Sequence, residues 1–139
     1  MTASRIGFVG LGNMGEPMVR RLARAGHAVR AYDKSKQAAG RLAGVPGVTV
    51  TETLHGVLDR ADVVILMLPD SGVVEEVLLS DGLLEQMAPP ALLVDMSSSE
   101  PARTRALAER SAQRGVTLLD APVSAATSAD PQGAGSAIG

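Results

Sequence analysis

The chain has 139 residues, a net charge of −2 and no cysteine. That length suffices for one ordinary core, and the charge gives no electrostatic reason to expect nucleic acid or an anionic membrane as a partner. The only aromatics are Phe8 and Tyr32 and the only histidines His27 and His55, which leaves neither a stacking platform for bases nor a Cys/His cluster for a metal.

No charged-then-apolar leader opens the chain, and no apolar run reaches the roughly 20 residues that span a bilayer. The expectation is a cytoplasmic protein with no metal, nucleic-acid or membrane partner. Ile6 to Val9 is short, partly β-branched and cut off by Gly10, as suits a buried parallel strand. Gly10, Gly12 and Gly15 then form G-x-G-x-x-G. Such glycines serve a tight turn, a close backbone approach to a pyrophosphate and close packing of the next helix on the strand. A helix over Asn13 to Ala25 is predicted, with Met14, Met18, Leu22 and Ala25 inward, arginines in its later turns and Gly26 as its stop. Its N-terminus would turn free N–H groups toward phosphates. Asp33 follows Gly10 by 23 residues, at the end of a second strand, where a carboxylate can accept the ribose hydroxyls of a dinucleotide.

Beyond Asp33 the pattern predicts a polar helix over Lys34 to Ala43, an edge strand over Val48 to Thr51 and a short helix over Thr53 to Arg60. Asp62 to Leu68 is the most apolar run and reads as a central strand covered on both faces. Val73 to Leu79 reads as a helix with Val73, Val77 and Leu78 inward and Glu75 and Glu76 on a solvated face. Ala91 to Val94 is a further strand, ending at Asp95 and a serine run. Pro101 opens a helix to about Arg114, and Val116 to Leu119 is the last strand. Alternating strands and helices imply an α/β, doubly wound parallel sheet (a Rossmann fold) of six strands in the order 3-2-1-4-5-6. Ligands in such sheets sit beyond the carboxyl ends of the strands.

Four segments at those ends carry a resemblance: GFVGLGNMGEPM at Gly7 to Met18, MLPDS at Met67 to Ser71, DMSSSEP at Asp95 to Pro101 and DAPVS at Asp120 to Ser124. In these the chain resembles the N-terminal domain of the β-hydroxyacid dehydrogenases, the family of 3-hydroxyisobutyrate dehydrogenase and tartronate semialdehyde reductase, with 6-phosphogluconate dehydrogenase more distant. The resemblance implies that Leu11, Asn13 and Met14 lie in the phosphate-binding turn with Gly10, Gly12 and Gly15. It places Leu68 and Pro69 along the adenosine side of the cofactor, Ser98 near the nicotinamide and Ser124 against the substrate's acid or hydroxyl group. Read without the family, Ser98 belongs to a serine run that caps the next helix, with Ser99 as the cap, and Ser124 is a loop serine.

Asp33 would repel the 2′-phosphate of NADP. NADP-preferring members of the family tend to carry Asn-Arg-Thr or Asn-Arg-Ser where this chain has Asp33-Lys34-Ser35, so NAD is the expected cofactor, and Asp33→Asn is expected to raise NADP affinity relative to NAD. After Ser124 the family continues Gly-Gly, but here Ala125-Ala126 leads into a Gly, Ala, Ser and Pro stretch. Residues 1–124 are expected to form the dinucleotide-binding domain and residues 125–139 a flexible tail. The family's second, helical domain, with its lysine proton donor and acceptor, is expected to be absent. The chain holds only Lys34 and Lys36, both at the adenosine end, so no catalytic residue is assigned to it. The implied reaction is hydride transfer between nicotinamide and a small 3-hydroxy acid, incomplete in this chain, with self-association through the bare interdomain face. The alternative is a non-catalytic dinucleotide-binding sensor or interaction module.

Overall fold

The structure, a computed structural model, describes residues 3–122. Six parallel strands run through it: β1 (Arg5–Val9), β2 (Ala28–Tyr32), β3 (Val48–Val50), β4 (Val63–Leu66), β5 (Ala91–Asp95) and β6 (Val116–Asp120). Their order is β3-β2-β1-β4-β5-β6, as the alternation of strands and helices in the sequence predicts. Chain direction across the sheet reverses between β1 and β4, so the mouth of a crevice opens beyond Val9 and Leu66.

Register divides the helices between two faces. Ile6, Phe8, Val29 and Ala31 form one side of β1 and β2 and pack under α1 (Gly15–Arg24) and α2 (Lys36–Gly40), with Val19, Ala39 and Leu42 completing that core. Val9, Val64, Leu66, Leu93 and Val116 line the other side. That side is covered by a 3₁₀ turn (Leu54–Leu58), α3 (Ser71–Glu75), a π-helical turn (Glu76–Ser80), α4 (Leu83–Gln86) and α5 (Pro101–Gln113).

The structure departs locally from the sequence pattern. Helix α1 begins at Gly15 rather than Asn13, and its buried positions are Gly15 and Val19, with Met18 and Leu22 beside them and Ala25 exposed. The stripe is set by the contact of Gly15 with β1, which rotates the helix relative to a pattern counted from Met14. Helix α2 is shorter than predicted because its last turns tighten into i→i+3 bonds at Leu42 and Ala43. The segment before β4 is 3₁₀ rather than α, capped by Thr53 Oγ1, which accepts the Gly56 N–H. Strand β4 is not sealed on both faces. Val64 and Leu66 are buried while Val63 and Ile65 are half-buried, because α1 and α2 cover β1 and β2 and reach only to the margin of β4. On that open side lie half-buried Leu92 and Val94 and exposed Leu119. In α3 the core residue is Val74, and Val73 is half-buried. Among the described residues no helix is long and apolar enough to cross a membrane, and no group of three His, Cys, Asp or Glu could hold a metal ion.

Candidate functional site

The glycine turn is built around two backbone contacts that no larger residue could make. Gly10 sits at φ +106°, and a Cβ there would overlap the Met67 carbonyl on the loop after β4. A Cβ on Gly15 would overlap the Gly10 carbonyl, so α1 leaves the turn in direct contact with it. Gly12 differs from both. No protein atom lies within 4 Å of the position its Cβ would take. The space above Gly12 is therefore left open to a ligand, beside a helix N-terminus that no side chain caps.

Asp33, one residue beyond β2, is tied to this turn. Its Oδ2 accepts the Leu11 N–H at 2.7 Å and its Oδ1 accepts the Ser35 N–H at 2.7 Å. Each carboxylate oxygen has two acceptor sites, so ribose hydroxyls still find acceptors there. The Leu11 side chain is fully buried in the core under α1; its contribution to the site is that backbone link.

A cleft of about 700 Å³ opens beside the turn. It brings together Gly10, Gly12, Asn13, Met14, Gly15, Asp33, Leu68 and Pro69 of the sequence-predicted residues. Val9, Tyr32, Lys34, Leu54, His55, Met67, Val73, Glu76, Val77 and Asp81 also line it; of these, only Lys34 follows from the sequence as a residue that could weakly help bind a phosphate. The mixture of a glycine turn, a carboxylate fixed against it and aliphatic walls fits a dinucleotide: donors for phosphates, an acceptor for ribose and an apolar slot for adenine. Glu76 is exposed, as a solvated face requires, and also borders this cleft. Only the placement of α3 over the crevice reveals it.

Ser98 lies on the exposed loop after β5, outside the lining of this cleft. Ser124, predicted to face the substrate, lies outside the described residues, as does the 125–139 stretch. Beneath Ser98 the loop is fixed by its neighbours. Asp95, fully buried, accepts the Ser97 N–H at 2.9 Å and the Ser99 hydroxyl at 3.3 Å. Ser97 Oγ in turn accepts the Leu68 N–H at 2.8 Å, joining the loop after β5 to the loop after β4. Ser99 is thus a ligand of Asp95 and not the cap of α5. The residue at that cap, Glu100, has no side-chain cap bond, and its N–H donates to Ser71 Oγ at 2.7 Å.

Two carboxyl groups on this side of the sheet are displaced from their ordinary behaviour. Burial, and secondly the charge of Asp95 beside it, push the Asp120 carboxyl up; the two residues are register partners across β5 and β6. The Glu75 carboxyl is held down by its hydrogen bonds from Arg103, whose Nε and Nη2 donate at 2.8 and 2.6 Å.

Known proteins match the chain over nearly the whole described region. Similar proteins include a 3-hydroxyisobutyrate dehydrogenase of Pseudomonas aeruginosa, 43% identical over 120 residues, which covers 86% of this chain and 40% of that protein. An NAD-dependent L-serine dehydrogenase of the same organism is 38% identical over 88% of this chain and 41% of its own length. Among solved structures, the 3-hydroxyisobutyrate dehydrogenase of Mycobacterium tuberculosis with L-serine superposes with a TM-score of 0.80 at 36% identity, over 88% of this chain and 41% of that one. The chain therefore spans about two fifths of the length of the curated relatives it matches, their N-terminal portion. The family described as the NAD binding domain of 6-phosphogluconate dehydrogenase matches residues 5–137. With the strand order, the glycine turn and Asp33 in place, the chain belongs to that family, as an NAD(P)-binding domain of the β-hydroxyacid dehydrogenase kind.

Proposed function

We propose that this chain is the cofactor-holding part of an oxidoreductase that moves hydride between nicotinamide and a small 3-hydroxy acid, and that it prefers NAD. The observation that carries the reading is the open space over Gly12 beside the uncapped start of α1, with Asp33 fixed against the turn in the same cleft. In this reading the N–H groups of the Gly12 to Gly15 turn bind the pyrophosphate. Asp33 accepts the adenosine ribose hydroxyls, and Leu68 and Pro69 press on the adenosine from the loop after β4. Ser98, on the loop that Asp95 holds, stands toward the nicotinamide, and Ser124 toward the substrate. Bound nicotinamide would supply or take up the hydride.

The matched proton at the substrate oxygen needs a group that this chain does not offer, since both lysines lie at the adenosine end. The 3-hydroxy acid class is supported by the relatives' names, and the proton chemistry is assigned to a helical domain outside this chain. Calorimetric titration of the 139-residue chain tests the cofactor part. NAD should bind about ten- to hundredfold more tightly than NADP, and binding of neither would overturn the reading. The same preparation should not oxidise a 3-hydroxy acid; turnover at about 1 per second or faster would refute the missing proton donor.

A further inference from the structure

Resting on that cofactor reading, we propose that Glu76 is a second determinant of dinucleotide choice. It holds Lys34 across the adenosine end of the cleft, withholding that lysine from a 2′-phosphate while adding a negative charge of its own. Lys34 follows Asp33 directly and is the only lysine or arginine lining the cleft among the described residues. By position it is the cation best placed to favour NADP. Its Nζ lies 3.5 Å from Glu76 Oε2, a contact that runs from the loop after β2 to the π-helical turn after α3.

The two glutamates at this point of the chain are separated in role by helical geometry. Neighbours on a helix point about 100° apart. Glu75 turns to α5, where it receives two bonds from Arg103, and Glu76 turns to the cleft. The other basic side chain in the lining, His55, is engaged, with Nε2 3.1 Å from the Asp81 carbonyl. Asp33, Glu76 and Asp81 thus set three carboxylates against one lysine at this end. A 2′-phosphate brought there meets net negative charge and a cation already paired, whereas a 2′-hydroxyl carries no charge to repel. The side chains of Lys34 and Glu76 are 82% and 51% exposed, so the pair is screened by solvent and its effect on affinity is modest.

The test is calorimetric titration of the full chain and of E76Q, K34Q and the double variant with NAD and NADP. E76Q should shift the NADP-to-NAD affinity ratio toward NADP by about two- to fivefold. The shift should shrink in about 0.5 M salt, where the Debye length is only a few ångströms. K34Q should leave the ratio nearly unchanged in the wild-type background and reduce the gain in the E76Q background to the part that comes from removing the Glu76 charge, because the lysine is available only there. A ratio unmoved by E76Q, or K34Q acting equally in both backgrounds, would overturn the inference. Glu76→Ala carries the same expectation should E76Q fail to fold. Wild-type chain that binds NAD while the ratio stays fixed sinks this inference alone; chain that binds neither dinucleotide sinks the cofactor reading with it.

Discussion

The two halves of the sheet hold their ligand-side loops by different means. In the first half, the glycine turn is locked by backbone, Gly10 against the Met67 carbonyl and Gly15 against the Gly10 carbonyl, with the Asp33 side chain as its one latch, accepting the N–H groups of Leu11 and Ser35. In the second half, the loops after β4 and β5 are latched by side chains. Ser97 holds Leu68, Asp95 holds Ser97 and Ser99, Ser71 holds Glu100, and Arg103 clasps Glu75. A backbone lock tolerates no Cβ, while a side-chain latch can be loosened one bond at a time. The first half is therefore expected to fail abruptly on substitution and the second by degrees.

The largest effect separates the glycines from one another. Gly10→Ala and Gly15→Ala should each destabilise the domain by about 2–3 kcal/mol or more, since backbone must move to admit the methyl. Gly12→Ala should leave urea unfolding within about 0.5 kcal/mol of wild type and yet weaken dinucleotide binding about tenfold or more, because its methyl would occupy ligand space. Equal stability losses at all three positions would erase the distinction between the two packed glycines and the one that faces ligand space. Next in size, Asp95→Ala leaves the buried Ser97 N–H and the Ser99 hydroxyl without their acceptor and should cost about 2–3 kcal/mol. Ser97→Ala, which orphans the half-buried Leu68 N–H, should cost about 1–2 kcal/mol and loosen the loop carrying Pro69.

The glycine turn of the first half was legible in the sequence and the latches of the second were not, for the same reason. Glycine and a carboxylate at fixed spacing are local requirements of a turn, so Gly10, Gly12, Gly15 and Asp33 announce themselves in 24 residues of chain. The latches between elements join residues 28 or 29 positions apart, such as Glu75 to Arg103 and Leu68 to Ser97. Ser97 within MSSS looks no different from Ser98 or Ser99, and Glu76 looks like any solvated glutamate until α3 is laid over the crevice. Strand order followed from alternation, but strand coverage did not. The apolar run through β4 suggested two sealed faces, and the structure leaves Val63 and Ile65 half-buried because α1 and α2 stop at that margin.

The smallest expected effects are in pH, and they sharpen the second half further. Asp120, raised by burial and by Asp95, prefers its proton more in the folded than in the unfolded chain. Stability is therefore gained as pH falls through its raised value. Glu75, lowered by Arg103, behaves oppositely: its contribution is complete above the ordinary glutamate range and is lost as pH falls through the lowered value. Carboxyl NMR should record Asp120 titrating above the ordinary aspartate range and Glu75 below the ordinary glutamate range. Asp95→Asn should bring Asp120 back toward its ordinary range, and Arg103→Gln should do the same for Glu75. An unmoved Asp120 would mean that burial alone, without the neighbouring charge, sets its behaviour.

Asp33 occupies both oxygens with backbone donors on either side of the turn, and this limits how the domain can change its cofactor over evolutionary time. Asparagine at 33 would keep one acceptor oxygen and turn an N–H toward an N–H, so a single step that removes the charge also unclasps the turn. A lineage moving from one dinucleotide to the other by that route must supply a new acceptor for Leu11 or Ser35 in the same step. Glu76 makes no bond to the turn and is free to drift alone. The path of least resistance would then begin at the π-helical turn opposite, with the aspartate exchanged afterwards.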